Sequence, residues 1–180
     1  MLKFISILSL FILFHGDVIE EVSWNENYKL TWSDFKGAPN NQTDAVAITA
    51  SGITFSYSIN KTSNKVHSFK TLVKAYFYPE HSWCKKEMVD DNILRHEQLH
   101  FDITELHARL FKQQISKLKP SLDLDNQLNQ LHQSINKQLS LMQNSYDEET
   151  NHSINTETQI KWQESVAKQL KTLEKFKSKS

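Results

Sequence analysis

The chain has 180 residues with 21 basic and 21 acidic side chains, so its formal net charge is zero. That balance argues against proteins that bind nucleic acids or anionic membranes, because both need an excess of positive charge. The length suits one domain with a substantial core, and we expect a single domain over residues 17–180. Cys84 is the only cysteine, so no disulfide within the chain can stabilise this domain.

The N-terminal residues predict export from the cytoplasm. One lysine precedes an apolar run from Phe4 to Phe14, and polar residues and Gly16 follow it. The run is too short for a bilayer span, which needs about 20 residues, but its layout is typical of a secretory signal peptide over residues 1–16. We therefore expect a periplasmic or extracellular protein with no stable membrane span. The alternative is a membrane anchor formed by an uncleaved N-terminal segment.

The first half of the remaining chain predicts β-structure. Residues Tyr28 to Pro39 indicate a short strand with a turn at its end. Residues Ala45 to Ile59 and Val66 to Lys85 alternate apolar and polar side chains, and Gly52 suggests a bulge or bend in the first of these segments. We expect two or three strands of an antiparallel sheet.

The second half predicts three helices, because its apolar residues recur every three or four positions. The first helix is expected from Met88 to Leu118, where Pro120 ends it. The second is expected from Leu122 to about Tyr146, and the third from Asn155 to Phe176. Strands followed by helices predict an α+β fold, with a small antiparallel sheet and three helices.

The first helix contains His96-Glu97-Gln98-Leu99-His100, which fits the pattern H-E-x-x-H. On a helix, His100 lies about 40° around the axis from His96 and one turn further on, so both imidazoles can bind one zinc ion. Glu97 lies at the edge of the same face, where it can accept a proton from water as a general base. The alternative is a solvated helix face that carries these residues by chance.

A catalytic zinc site uses three protein ligands and one open position, and this helix cannot supply the third ligand. Asp102 and Glu105 point to other sides of the helix, and His107 lies about 16 Å along the axis from His96. We expect these three residues to support the ligands or to pack the helix.

The third ligand is expected after the second helix, where the chain breaks before the third. His152 offers a neutral imidazole there and Glu149 offers a carboxylate, and the residues alone leave both open. The remaining histidines stand alone in strand or helix patterns, and we expect surface or packing roles for them: His67, His81 and His132.

Several segments together resemble the DUF922 family, predicted secreted zinc-dependent proteases of bacteria. They follow the family's order from about Tyr28 to Leu173, and “HEQLHFDI” and the pattern “YDxETxH…Q..W” are the most specific of them. The looser matches are “LTWSDFKGAP”, “AVAITASGITFSYS” and Ser82-Trp83. One position departs from the family pattern, because Ser153 stands where the family usually has glycine after the histidine.

The resemblance implies that His96 and His100 bind zinc and that Glu97 is the general base. It also favours His152 as the third ligand and Tyr146 as a hydrogen-bond donor on the oxyanion side. Further site residues on the second family motif are Glu149 and Thr150.

These observations predict an exported zinc-dependent metallopeptidase that acts on peptides or proteins. A strand-like segment before the H-E-x-x-H helix favours this activity, because an extended peptide can add to the edge of a sheet. Such a site implies a zincin-like arrangement, with the H-E-x-x-H helix packed on the sheet. The alternatives are a zinc-stabilised envelope binding protein without catalysis and a metal-free helical interaction protein.

Overall fold

The computed structural model describes residues 20–178, so the predicted signal peptide lies outside the described residues. Five strands come first, followed by three helices. The strands are β1 (Val22–Ser23), β2 (Ala47–Ile48), β3 (Ser51–Lys61), β4 (Val66–Phe77) and β5 (Trp83–Cys84). The helices are α1 (Asp91–Ile115), α2 (Leu124–Thr150) and α3 (Thr156–Thr172). The predicted α+β fold, with a small antiparallel sheet and three helices, is confirmed.

The strands form two small antiparallel sheets. In the larger sheet, the order is β1-β4-β3, and the β3–β4 pairing runs from Ser51 opposite Phe77 to a register shift after Asn60. The smaller sheet consists of β2 and β5 alone. The end of β4 alternates buried and partly buried residues, with Val73, Ala75 and Phe77 turned inward. This alternation gives the larger sheet one apolar face.

Helix α1 is the central element, because it contributes to both apolar cores. Phe101, Ala108 and Phe111 pack in the core that includes the sheet, and the Phe101 and Phe77 rings lie 5.8 Å apart. On another side, α1 contributes Leu99, Ile103 and Leu106 to a second core with α2 and α3. A helix with apolar residues on more than one side is expected between two packed layers. The metal-binding residues predicted on α1 therefore sit on a rigid element.

Several helix boundaries differ from the prediction: α1 ends at Ile115 rather than Leu118, and α3 ends at Thr172 rather than Phe176. Two further differences have a visible cause. Helix α1 begins at Asp91 rather than Met88, because the Asp90 side chain accepts a hydrogen bond from Ile93 N at 2.8 Å and caps the helix. Helix α2 continues to Thr150, four residues beyond the predicted end. No glycine or proline interrupts it there, and the chain leaves the helix only at Asn151, which adopts a left-handed conformation.

Two strand predictions are wrong in detail. Residues Tyr28 to Pro39 contain a short 3-10 turn, Trp32–Asp34, because the Asp34 carboxylate accepts hydrogen bonds from both the backbone and the side chain of Thr31. The segment Ala45 to Ile59 divides into β2 and β3, which belong to different sheets. Within residues 20–178, no helix is long and apolar enough to cross a membrane.

Candidate metal centre

Three potential ligand atoms from α1 and α2 lie close together. The Nε2 atoms of His96 and His100 are 3.2 Å apart. Asp147 Oδ1 lies 3.1 Å from His96 Nε2 and 2.9 Å from His100 Nε2. In the part of the chain that the structure describes, this is the one group of three or more His, Cys, Asp or Glu side chains that could hold a metal ion. We call His96, His100 and Asp147 the metal group.

The geometry and chemistry of this group fit zinc. With metal–ligand distances of about 2.0–2.2 Å, two ligand atoms of a tetrahedral site lie about 3.3 Å apart. The three distances of 2.9–3.2 Å are close to that spacing. Two imidazoles and one carboxylate also form a ligand set used by catalytic zinc sites, which leave the fourth position open. All three residues line one open cleft.

Electrostatics favours a charged Asp147 beside the histidines. Burial raises the pKa of the Asp147 carboxyl, but hydrogen bonds from His100 and His96 outweigh burial and leave this pKa below its ordinary value. Burial lowers the pKa of His100, but its hydrogen bond to Asp147 and the charge of Glu97 raise it overall. The site therefore concentrates negative charge around two imidazoles, which is what a divalent cation requires.

Gln143 sets the orientation of the His100 ring. Its Nε2 donates to the backbone carbonyl of His100 at 2.9 Å, and a carbonyl oxygen can only accept. This contact fixes the amide orientation, so Gln143 Oε1 accepts a hydrogen bond from His100 Nδ1. Because Nδ1 donates to Gln143, Nε2 is the ring nitrogen that faces Asp147. Nε2 donates to Asp147 while the ring is protonated, and it is the atom that can bind a metal once that proton is lost.

Tyr146 orients His96 in a different way, by ring stacking. The two ring centroids are 4.4 Å apart with an interplanar angle of 22°. His96 Nδ1 is buried and has no hydrogen-bond partner among residues 20–178, so the Nδ1 side of this ring is held by packing, while Nε2 faces Asp147 at 3.1 Å. The Tyr146 hydroxyl donates to the His96 backbone carbonyl at 3.5 Å. Burial, followed by the charge of Glu97, raises the pKa of Tyr146.

These contacts place the Tyr146 hydroxyl on the helix backbone, and the residue is not among those that line the cleft. Its predicted role as an oxyanion-side donor therefore has no support from its position. The structure instead assigns Tyr146 a place behind the two imidazoles, because its ring also contacts the His100 ring edge-on at 5.0 Å.

Glu97 is the residue that the sequence predicts as the general base. It lines the same cleft as the metal group and is only 5% exposed. Its Oε2 atom is buried and has no hydrogen-bond partner among the described residues. Thr49 donates to the Glu97 backbone carbonyl at 3.2 Å, which connects α1 to the segment beside β2. An unpartnered carboxylate oxygen beside the metal group can accept a proton.

Asp147 takes the position that the sequence analysis expected for His152 or Glu149. His152 lies in the turn after α2 and lines the cleft, but its ring nitrogens are not part of the three-atom group. Glu149 Oε2 instead accepts a hydrogen bond from Trp162 Nε1 at 2.8 Å. The geometry therefore favours Asp147 as the third ligand over both predicted candidates.

Asp147 and Gln143 were missed because the second helix was expected to end at Tyr146. Once the helix continues, Gln143 and Asp147 are four residues apart and share the face toward α1. That spacing is the sequence signal that could have found them. Thr150, predicted as a site residue, donates to the Tyr146 carbonyl at 2.6 Å and contributes to the end of α2.

Asp102 packs α1 against the N-terminal segment. Its Oδ1 accepts from Trp24 Nε1 at 2.7 Å and from Gln98 Nε2 at 2.9 Å. Gln98 Oε1 in turn accepts from Leu30 N at 2.8 Å. Burial raises the pKa of Asp102. This residue thus belongs to a network on the side of α1 away from the cleft.

Glu105 and His107 also have packing roles. Glu105 is fully buried and pairs with Arg109 at 2.8 Å. His107 Nδ1 donates to the Ile103 carbonyl at 2.9 Å, and burial lowers the pKa of His107. Of the other histidines, two lie on the surface and one stacks in the sheet core: His67 and His81 are exposed, and the His132 ring is 5.7 Å from that of Phe111.

The cleft that contains the metal group has a volume of about 920 Å³. One wall is the segment Thr43–Thr49, which includes β2, and the opposite wall comes from α2 and the turn that follows it. Strand β2 pairs only with β5 among the described strands. Val46 O accepts from Lys85 N at 2.8 Å, and the antiparallel alternation therefore turns the main-chain groups of Ala47 away from β5.

Comparison with known proteins gives one match. The model of a family described as “Bacterial protein of unknown function (DUF922)” matches residues 27–153. This range contains α1, all of α2 and the turn through Ser153, and therefore the whole metal group. No curated protein and no solved structure matches the chain.

Proposed function

The chain belongs to the DUF922 family, and we propose that it is a zinc-dependent peptide hydrolase that works outside the cytoplasm. One observation carries the proposal: the donor atoms of His96, His100 and Asp147 form a triangle beside the unpartnered Glu97 oxygen, in one open cleft. The exported location is supported by the signal-like sequence before Gly16.

Glu97 would move the proton in this reaction. Zinc bound by the three ligands would supply a water molecule with a pKa of about 7 and would polarise the substrate carbonyl. The Glu97 carboxylate would take the proton of the attacking water and give it to the leaving amine. Its Oε2 atom, which has no hydrogen-bond partner among residues 20–178, and its position next to His96 in the chain suit this role.

The wall formed by β2 supports a peptide as the substrate. The main-chain groups of Ala47 point away from β5, so an extended peptide can form hydrogen bonds along this side of the strand. Main-chain pairing places little demand on the substrate sequence and holds the peptide in an extended form. The same cleft contains Glu97 and the metal group.

The test is the hydrolysis of fluorescein-labelled casein by the zinc-loaded protein and its Glu97→Gln variant. We expect the substitution to reduce the rate by about 100-fold or more, because glutamine cannot accept the proton. Zinc content, measured by mass spectrometry, should stay near one ion per chain. Glu164→Gln is the matched control, since Glu164 is exposed on α3, and this variant should keep the wild-type rate.

Two outcomes would contradict the proposal. If Glu97→Gln hydrolyses casein as fast as the wild type, Glu97 is not the general base. If the zinc-loaded wild type hydrolyses no peptide while zinc still stabilises it, the chain is the non-catalytic zinc protein that the sequence left as an alternative.

A further inference from the structure

We propose that this cleft selects extended peptides with an apolar side chain next to the cleaved bond and rejects acidic ones, with Ile154 and Ile48 as specificity-determining residues. This inference rests on the proposed function and names its substrate class. It is carried by three observations: two exposed isoleucines at the cleft, a strained turn that holds one of them, and a lining whose charged side chains are carboxylates.

The two isoleucines line the cleft from two different elements, and both are exposed. Ile154 is 74% exposed in the turn after α2, and Ile48 is 43% exposed on β2. The less exposed side chains of Ile93 and Leu139 also line this cleft. Four aliphatic side chains therefore line one cleft, two of them exposed, and an apolar lining of this kind is typical of a surface that a ligand covers.

The turn before Ile154 is strained and firmly held. Asn151, His152 and Ser153 have φ angles of 47°, 52° and 75°, so three consecutive residues with side chains adopt the left-handed region. Such strain persists only where surrounding contacts hold it, and it concentrates at functional sites. Here Asn92 Nδ2 donates to the Ser153 carbonyl at 2.8 Å, which ties the turn to the first part of α1.

A second bond fixes Asn92 itself. The buried Gln159 of α3 donates from Nε2 to the Asn92 carbonyl at 3.0 Å. The turn is therefore connected to both α1 and α3. Ile154 follows it directly, so a rigid support presents this side chain at the cleft.

The charges of the cleft argue for the second half of the proposal. Its lining includes the carboxylates of Asp44, Glu97 and Asp147, and none of the described lining residues is lysine or arginine. One zinc ion would offset two of these three negative charges. A substrate with an acidic side chain would thus meet repulsion, and no lysine or arginine among the described lining residues could pair with it. The Lys85 ammonium lies beside the lining, where it is engaged by the Thr43 carbonyl at 2.6 Å.

The experiment compares three quenched fluorescent octapeptides that differ only in their two central residues, which are both leucine, both alanine or both glutamate. For the wild type we expect the highest kcat/KM for the leucine peptide and the lowest for the glutamate peptide. Ile154→Ser should reduce the ratio of leucine to alanine kcat/KM by about tenfold, because a missing aliphatic contact costs that order of discrimination. Ile48→Ser is the second variant and should change the ratio in the same direction.

The matched control is Ile160→Ser. Ile160 is 53% exposed on α3, outside the cleft, so this substitution removes an equivalent side chain and should leave the ratio unchanged. Thermal unfolding of all variants checks that they remain folded. Equal ratios in the wild type, Ile154→Ser and Ile48→Ser would overturn the inference, as would a preference for the glutamate peptide.

Binding separates this inference from the proposed function. Peptides of the same sequences, labelled with a fluorophore and no quencher, are titrated into the zinc-loaded Glu97→Gln protein, with and without Ile154→Ser, and followed by fluorescence anisotropy. If the wild type hydrolyses none of the peptides but leucine peptides bind more tightly only when Ile154 is present, the inferred preference for apolar peptides stands and the hydrolase proposal fails. Tight binding of all three peptides without a preference for leucine overturns the inferred specificity but leaves the hydrolase proposal intact.

Discussion

Tyr146 contacts the metal group through its ring, and this decides what its substitutions should do. The ring stacks on His96 and touches the edge of His100, whereas the hydroxyl makes one long hydrogen bond to a backbone carbonyl. The ring therefore substitutes for the hydrogen bond that His96 Nδ1 lacks among the described residues. Substitution of residues that orient metal ligands typically lowers metal affinity by about 10- to 100-fold.

We accordingly expect Tyr146→Phe to keep zinc affinity and hydrolysis within about threefold of the wild type, because the ring remains. Tyr146→Leu should weaken zinc binding by about tenfold or more, because the stacking surface is lost. The zinc affinity of both variants is measured by competition with a chromophoric chelator, and their hydrolysis is measured with labelled casein. If Tyr146→Phe retains zinc but loses activity, the hydroxyl acts on the substrate, as the sequence predicted.

At the residue scale, the chemistry of α1 could be predicted because it is local. His96, Glu97 and His100 are related by helix geometry alone, so their spacing in the sequence defines their arrangement. Asp147 could not be chosen in the same way, because its role depends on how α2 packs against α1. Donor chemistry favoured the imidazole of His152, whereas packing placed a carboxylate beside the two histidines.

At the scale of elements, the turn after α2 begins later than the sequence predicts, and its backbone is strained in a way that can be tested. Ser153 has a φ of 75°, where a side chain costs about 1–2 kcal/mol and glycine costs little. Ser153→Gly should therefore stabilise the fold by about 0.5–1 kcal/mol, after the greater freedom of glycine in the unfolded chain is counted. This corresponds to a rise in melting temperature of about 1–4 °C, measured by calorimetry.

Ser153→Ala is the control for that prediction. It removes the same hydroxyl but keeps the Cβ atom and therefore the strain, so its melting temperature should not rise. An equal rise in both variants would mean that the hydroxyl, and not the left-handed backbone, is unfavourable.

The longer elements could be predicted, because the regular spacing of their apolar residues is enough to identify them. The helices and β3–β4 follow repeated apolar patterns over ten residues or more. Strands β1, β2 and β5 have two residues each, too few for a pattern, and they form only because distant segments pair with them. The turn at Trp32–Asp34 depends on side-chain capping by Asp34, which alternation of apolar residues does not reveal.

At the scale of the whole molecule, α1 connects two cores, and the metal group lies where it meets α2. A metal ion bound there would hold the two helices together. No disulfide can take over this role, because the chain has a single cysteine. Zinc that binds only the folded chain therefore raises the free energy of unfolding, by about 2.7 kcal/mol at 100 times its dissociation constant.

The effect of zinc on the melting temperature can therefore test which residue is the third ligand. With zinc at that excess, the melting temperature of the wild type should rise by about 5–10 °C and return to its starting value with EDTA. Asp147→Asn should lose most of the rise, because a carboxamide is a poor zinc ligand. Glu149→Gln should keep the rise, since glutamine can still accept the hydrogen bond from Trp162. His152→Gln should also keep the rise, because this ring lies outside the three-atom group.

The reverse pattern, with the rise lost in His152→Gln and kept in Asp147→Asn, would reject Asp147 as the third ligand and favour His152, as the sequence predicts.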